Sequence, residues 1–482
     1  MRIEAFPFNR VGRVRLLWAA LLAVALTWPL AKPAAAQEFP DFSGYTRATF
    51  DEWFAKYKDA KPEFKPGDVL TAKDIEKIKP FMPPGFFEQL NFPEFKAEII
   101  APRSHRPRAD YVACSEKYQN QTRLAADGAM VNYVCGQPFP NAQISLDDPA
   151  AGMKAAWNFD YRWQNYGLFI TNVGWIWDRF GGTHVAPVLT KPPELWLPFS
   201  ANLPTDLTED FQGGGTFQRT LQGPYERVYY THLAPLSDSG GVLPVPNAKD
   251  FEFKEFTGFH EPFDIRGTAF IIYRYADPHR ADDAWAYIPN LRRVRRITAE
   301  VKSDSLLGTD HTLEDFYGFS GRPVEWKWKL LGWKDMLCIH DSKWEDSHFY
   351  GPNGMIPNDV WSLRHFAVVE RTPKDPRAPY NSAIDFWDGE NWDTFWMEAW
   401  DHKDKLWKIW YFYKVWTEDI KEPSRIPLNK GTDITYFQSI EVEDLQNKRG
   451  TFVPCYGGGY PNIRGSEAER LYDINKLEQL HR

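Results

Sequence analysis

From residue 216 onward the chain reads as one strand after another. Val324, Trp326, Trp328 and Leu330 alternate without a slip against Glu325, Lys327 and Lys329, the period-two signature of a strand with one dry and one wet face. Ile434, Tyr436, Ile440 and Val442 alternate in the same way against Asp433, Thr435, Ser439 and Glu441. Between them, Asp388-Gly389 separates the apolar runs 382–387 and 391–400 as a hairpin turn does, and Asp401 to Asp404 makes another turn before a ring-rich run to Trp416. Strands joined by turns, with only short helical candidates between them, predict an antiparallel sheet rather than β-α-β winding.

The N-terminal part has a different period. Phe50, Trp53, Phe54 and Tyr57 fall at i, i+3, i+4 and i+7 behind a capping Thr46, which predicts a helix with a four-ring stripe. A second start is signalled at Thr71, with Asp74 in the third position and Leu70 and Ile75 placed as a hydrophobic staple. Pro80, Pro83, Pro84 and Pro93 then break the chain around Phe81, Phe86, Phe87, Leu90 and Phe92, as in a core-wrapping arm or an apolar lid. The organisation expected is a helical, proline-rich arm over 37–100, a mixed segment over 101–215, a sheet domain over 216–455 and a tail over 456–482.

The first 36 residues carry Arg10, Arg13 and Arg15, an apolar run from Leu16 to Leu30, and Ala34 to Ala36 ahead of Gln37. That is the pattern of a cleaved secretory signal peptide and implies a soluble exported protein. Removing five basic residues and one acidic residue with it takes the formal charge from −8 to −12, which argues against nucleic acid as a partner. In an oxidising compartment the even count of four cysteines points to disulfides: Cys114 with Cys135 across a short loop, and Cys338 with Cys455 as a possible second bridge.

Several constellations have a candidate chemistry. Arg292, Arg293, Arg295 and Arg296 alternate on an extended backbone, so both faces carry guanidinium; burial of one pair would require carboxylates, which Asp282, Asp283 and Asp310 could supply. The cluster is read as a structural charge network or a head-group site. The acidic loop 304–315 lacks the regular spacing of a calcium loop, and the histidines lack zinc-like spacing, so no metal or cofactor is expected. Gly318 to Gly321 approaches a nucleophile elbow, but Arg322 stands where its last glycine belongs, so Ser320 reads as a turn residue. Aromatic residues make up 16% of the chain, enough that the rings from Trp387 to Trp416 are also readable as a carbohydrate-stacking platform.

Residues 281–289, ADDAWAYIP, leading into LRRVRR at 291–296, with Ser303-Asp304-Ser305, Gly308-Thr309-Asp310 and Glu314 to Gly321, resemble the domain of unknown function 1329 family, exported Gram-negative proteins related to the lipoprotein carriers LolA and LolB. Lys65 to Asp68, Gly136 to Pro140 and Trp157 to Phe159 extend the resemblance over most of the chain beyond the leader. It implies a mainly β (α+β) fold, a large strongly curved antiparallel sheet forming a half-open barrel, with helices over the concave face. It also implies company with an inner-membrane resistance-nodulation-division type exporter and an outer-membrane barrel. The function expected is a non-enzymatic periplasmic carrier for a lipid or other hydrophobic small molecule, with Phe270, Ile272, Trp285, Tyr287, Trp326 and Trp328 in a cavity wall. A carbohydrate-active enzyme or binding module is the alternative, and a filled, cavity-free interior would favour a structural adaptor of the envelope.

Overall fold

The computed structural model describes residues 39–181, 214–297, 304–344, 347–420 and 431–479, with short strands at 189–190, 206–207 and 210–211. The expected leader lies outside the described residues.

Among the described residues, fifteen strands share one sheet. They are β1 (Val69–Thr71), β2 (Lys96–Ile100), β3 (Gly167–Arg179), β4 (Thr216–Tyr229), β5 (Phe251–Gly258), β6 (Ala269–Tyr275), β7 (Asp283–Ile288), β8 (Arg293–Ile297), β9 (Trp326–Cys338), β10 (Val360–Pro373), β11 (Ser382–Asp388), β12 (Thr394–Trp400), β13 (Leu406–Trp416), β14 (Thr435–Asp444) and β15 (Arg449–Tyr456). Their order is β1-β2-β10-β11-β12-β13-β14-β15-β3-β4-β5-β6-β7-β8, with β9 paired to β10 off this path. The path ends on two different strands, so the sheet is open. Its pairs are antiparallel except β2 beside β10, which makes the sheet mixed where an all-antiparallel one was expected. Bulges interrupt the ladders of β3 with β4, β9 with β10, β12 with β13 and β13 with β14. Each extra residue bends its strand and increases the local twist, which is how so wide a sheet curves.

The hairpin at Asp388-Gly389 and the turn at 401–404 form as expected, joining β11 to β12 and β12 to β13. On β9, Trp326, Trp328 and Leu330 are buried while Lys327 and Lys329 are exposed. β14 differs: every residue from Thr435 to Asp444 is buried, including the Ser439 and Glu441 expected on a wet face. Both faces of the central strands are covered, so alternation marks opposite faces there but not water.

One cover is the arm. Thr46 caps α1 (Arg47–Tyr57), whose Phe50 and Trp53 are buried. Thr71 and Asp74 make the expected reciprocal cap, the Asp74 carboxylate accepting from the Thr71 N–H at 3.2 Å. The other cover differs along the sheet. α3 (Ala151–Asp160) lays Ala155 and Phe159 against Trp328 and Val369, with Phe159 stacked on Trp387 at 4.7 Å. Farther along, Leu306, Phe316 and Tyr317 close over Trp175, Trp410 and Phe412.

The first expected disulfide is formed: Cys114, in α2 (Ala109–Tyr118), bonds Cys135 with Cα atoms 5.8 Å apart. The second is not. Cys338 and Cys455 are buried thiols outside any disulfide, Cys338 in the core under the arm and Cys455 in the core on the other face, so the sheet itself separates them.

Candidate functional site

One broad apolar surface of the sheet lies under the arm. β10 to β13 place Trp361, Phe366, Phe386, Trp396, Tyr411 and Tyr413 there. The arm answers with rings: Phe50 meets Trp400 edge-on at 5.6 Å, and Phe86 sits 4.6 Å from Trp396 and 5.6 Å from Tyr411. The turn carrying Phe86 comes close because residue 85 is glycine. A Cβ there would lie 2.7 Å from the Leu406 side chain and 3.1 Å from that of Ile409.

Residues 83–95 are attached in an unusual way. Their backbone hydrogen bonds close on the segment itself, as in Phe87 N–H to Pro83 O at 2.9 Å and Phe95 N–H to Phe92 O at 3.1 Å. The prolines that break the segment also keep it from adding a strand to the sheet. Two of its polar ties to the sheet go to carboxyl groups. Gly85 N–H donates to Glu398 at 2.9 Å, and Gln89 Nε2 donates to Glu443 at 3.1 Å.

Glu398, Glu441 and Glu443 are each at most 2% exposed. Burial pushes the Glu398 and Glu443 carboxyls up to about 8 and the Glu441 carboxyl well above its ordinary range, so all three are predominantly protonated at neutral pH. Glu441 Oε2, Glu443 Oε2 and Gln89 Oε1 have no hydrogen-bond partner. The sequence reading missed all three acids. The available signal was a set of carboxylates interrupting strands otherwise rich in rings, but their burial depends on an arm some 300 residues away.

A second polar region lies near the ends of β12 and β13 away from the arm's turn. Asp393 joins Lys414 at 2.9 Å and Arg162 at 3.4 Å, beside an internal space of about 20 Å³, roughly one water. Trp416, His105, His340 and Phe395 stack in one column, with centroids 4.2, 4.0 and 5.2 Å apart. Asp341 accepts from His105 at 2.8 Å and from Arg103 at 2.6 Å; against the upward push of burial, the neighbouring His105 and His340 hold its carboxyl far below the usual range. Burial and the nearby Arg364 lower His340 to about 4, so it is neutral at pH 7. His105, His340 and Asp341 bring one ligand atom each within 4.8 Å, the spacing of a metal site. The two imidazoles, however, face each other at an interplanar angle of 28°; lone pairs lie in ring planes, so the column is built for stacking and would have to turn a ring to hold a cation. Outside it, an open cleft of about 570 Å³ is bordered by Trp333, Arg364, His365 and Glu390, with Arg364 tied to Asp388 and Glu390.

The sequence-selected residues do not form one wall. Trp285 and Tyr287 lie with Ala269 and Ile271 on one face of the β6–β7 ladder, while Phe270 and Ile272, the alternate residues of β6, face the other way. Trp326 and Trp328 belong to the core under α3. The arginine cluster is also rearranged. Arg292, Arg293, Arg295 and Arg296 are exposed, on or beside β8 at the sheet's edge, where charge discourages pairing with another edge. Arg296 pairs with Asp283, but the buried acids take other partners. Asp282 binds Arg274 and Arg322, and Asp310 binds Arg449 at 2.6 Å. Ser320 accepts from Arg227 at 2.6 Å, a turn-fixing contact with no base in it. Trp387, Trp392, Trp396, Trp400 and Trp410 are at most 1% exposed, which removes the stacking platform that the carbohydrate alternative needed.

A family model described as a protein of unknown function (DUF1329) matches residues 69–243 and 205–458. Solved structures with similarity include a putative outer membrane lipoprotein-sorting protein domain from Vibrio parahaemolyticus, 17% identical, covering 69% of this chain and 100% of that one with a TM-score of 0.40. A DUF1329 family protein from Desulfovibrio piger is 18% identical over 65% of this chain and 93% of its own, TM-score 0.39. A LolA superfamily protein from Nitrosomonas europaea is 11% identical with the same coverages, TM-score 0.33. No curated protein matches the chain.

Proposed function

We propose that this chain, which belongs to the DUF1329 family, is a non-enzymatic binding protein of the periplasm that carries a lipid-like or other hydrophobic molecule on the sheet face now occupied by its arm. The observation that carries the reading is the way the face is filled. Rings from a proline-broken segment lie on Trp396 and Tyr411, and the backbone of that segment bonds to itself rather than to the sheet. An acyl chain laid there would replace one apolar cover by another, at roughly 0.8 kcal/mol per methylene buried. The arm is then a lid that yields to cargo. Among the described residues no helix is long and apolar enough to cross a membrane. Handover to an inner-membrane resistance-nodulation-division type exporter and an outer-membrane barrel is part of the proposal.

The filled interior is also what a purely structural adaptor would have, and one experiment separates the two readings. Protein purified from its native compartment is extracted with organic solvent and the extract analysed by mass spectrometry, while the apo protein is titrated with a fluorescent fatty-acid probe. A carrier yields a co-purifying amphiphile and binds the probe with increased hydrogen exchange at residues 81–95. No amphiphile and no probe binding would establish the adaptor instead.

A further inference from the structure

In the register of the sheet, Glu398 of β12, Ile409 of β13 and Glu443 of β14 form one cross-strand row, and Trp396, Tyr411 and Glu441 form the next. The aromatic face under the arm therefore runs directly into acid. Glu441 and Glu443 are two residues apart on one strand, so they point to the same side. Among the described residues the groups that act most on them are not cations: Ser439 and Glu443 act on Glu441, Gln89 on Glu443, and Gly85 on Glu398. Tyr45 of the arm lies near Glu398 and Glu88, and Tyr411 of β13 lies near Glu441 and Asp359; none of these is a cation.

Three atoms there go unmet: Glu441 Oε2, Glu443 Oε2 and the arm's own Gln89 Oε1 are buried without a hydrogen-bond partner, and Gln89 is 4% exposed. A buried polar atom left unmet is costly. A donor-rich cation offers such oxygens hydrogen bonds once a carboxyl gives up its proton, and the neighbouring aromatic faces favour positive charge as well. On the carrier reading above, we propose that this acid end is a head-group site for an amine-bearing amphiphile, a primary ammonium on an apolar chain. The ammonium donates to Glu441 and Glu443, and the chain takes the place of Phe86 on Trp396 and Tyr411. At neutral pH one carboxyl releases its proton to solvent as the ammonium arrives, so binding is linked to proton release.

The test uses the full mature chain and three probes of equal length below their micellar concentrations: dodecylamine, dodecanol and dodecanoate. Calorimetry at about pH 6 and about pH 8, in two buffers of different ionisation heat, measures affinity and protons released. The expected result is dodecylamine binding about tenfold or more tighter than the other two, tightening as pH rises, with about one proton released. The double variant Glu441→Gln with Glu443→Gln keeps side-chain volume; it is expected to bring the three probes within about threefold of one another. Equal binding of all three probes by the unaltered protein, or no proton release, overturns the ammonium site and leaves the carrier reading standing. Binding of none of them overturns both. Dodecyltrimethylammonium, which has no N–H, is expected to bind more weakly than dodecylamine; equal binding would overturn the hydrogen-bonded head group.

Discussion

Replacing Phe86 by alanine tests whether the arm is a lid or a wall. The ring is 2% exposed and lies on Trp396 and Tyr411, at 4.6 and 5.6 Å. Truncating such a ring costs about 3–5 kcal/mol, from lost transfer energy and the cavity left behind, and the two ring pairs account for about 0.5–1.5 kcal/mol each. If residues 81–95 open as a unit, this loss falls on the opening step and not on global unfolding. Taking the lower value of about 3 kcal/mol, the open population rises about a hundredfold. The apparent affinity for an apolar probe rises with it, because binding no longer has to displace a well-seated ring. Native-state hydrogen exchange reads this directly: amides of 81–95 lose about 3 kcal/mol of protection, while amides of β12, β13 and β14 keep theirs. The argument fails if sheet and arm amides lose protection equally, or if the melting midpoint falls by the full cost with no gain in probe affinity. Either result makes the arm an integral layer of the core.

The pH dependence of the arm is expected to follow its carboxyl partners. Glu398 and Glu443 titrate at about 8 when folded against about 4.5 when exposed, so the closed arm is fully favoured below about pH 4.5 and loses up to roughly 1.4 kcal/mol per pH unit for each group until about pH 8. Exchange at 81–95, corrected for the intrinsic rate, should accelerate across that window, and Glu398→Gln with Glu443→Gln should flatten it. Arg293→Ala and Arg295→Ala, both at exposed edge positions, should each change stability by less than about 0.5 kcal/mol in urea titrations, whereas Asp282→Asn, which leaves Arg274 and Arg322 without their shared charge, should cost about 3–5 kcal/mol. A large loss at either arginine would reinstate the clamp expected from the sequence. Thiol titration without reductant should find no reactive thiol in the native protein and two after unfolding, from Cys338 and Cys455, and Cys114→Ser with Cys135→Ser should lower stability by roughly 3 kcal/mol.

What could be read in the amino-acid order was local or periodic. Trp326, Trp328 and Leu330 alternate with lysines, and a strand with one buried face follows. Asp388-Gly389 turns the chain, Thr71 and Asp74 cap each other, and Cys114 finds Cys135 at a separation of 21 residues. Each is decided within a few turns of chain, or by a loop short enough that its closure entropy favours the nearer partner. The long-range decisions were not legible. Period two says that Ser439, Glu441 and Glu443 share a face of β14, but only the docking of residues 83–89 makes that face dry and raises those carboxyls. Asp282 stands among arginines in sequence, yet its charge is met by Arg274 across the β6–β7 hairpin and by Arg322 some 40 residues on, because those guanidiniums are buried with it while Arg292 to Arg296 lie at the sheet's open edge. The sequence by itself determined which residues lie on the same side of each strand. Which sides meet water, and which charges meet one another, depended on strand order and on the cover laid over each face, and neither is encoded in any short stretch of chain.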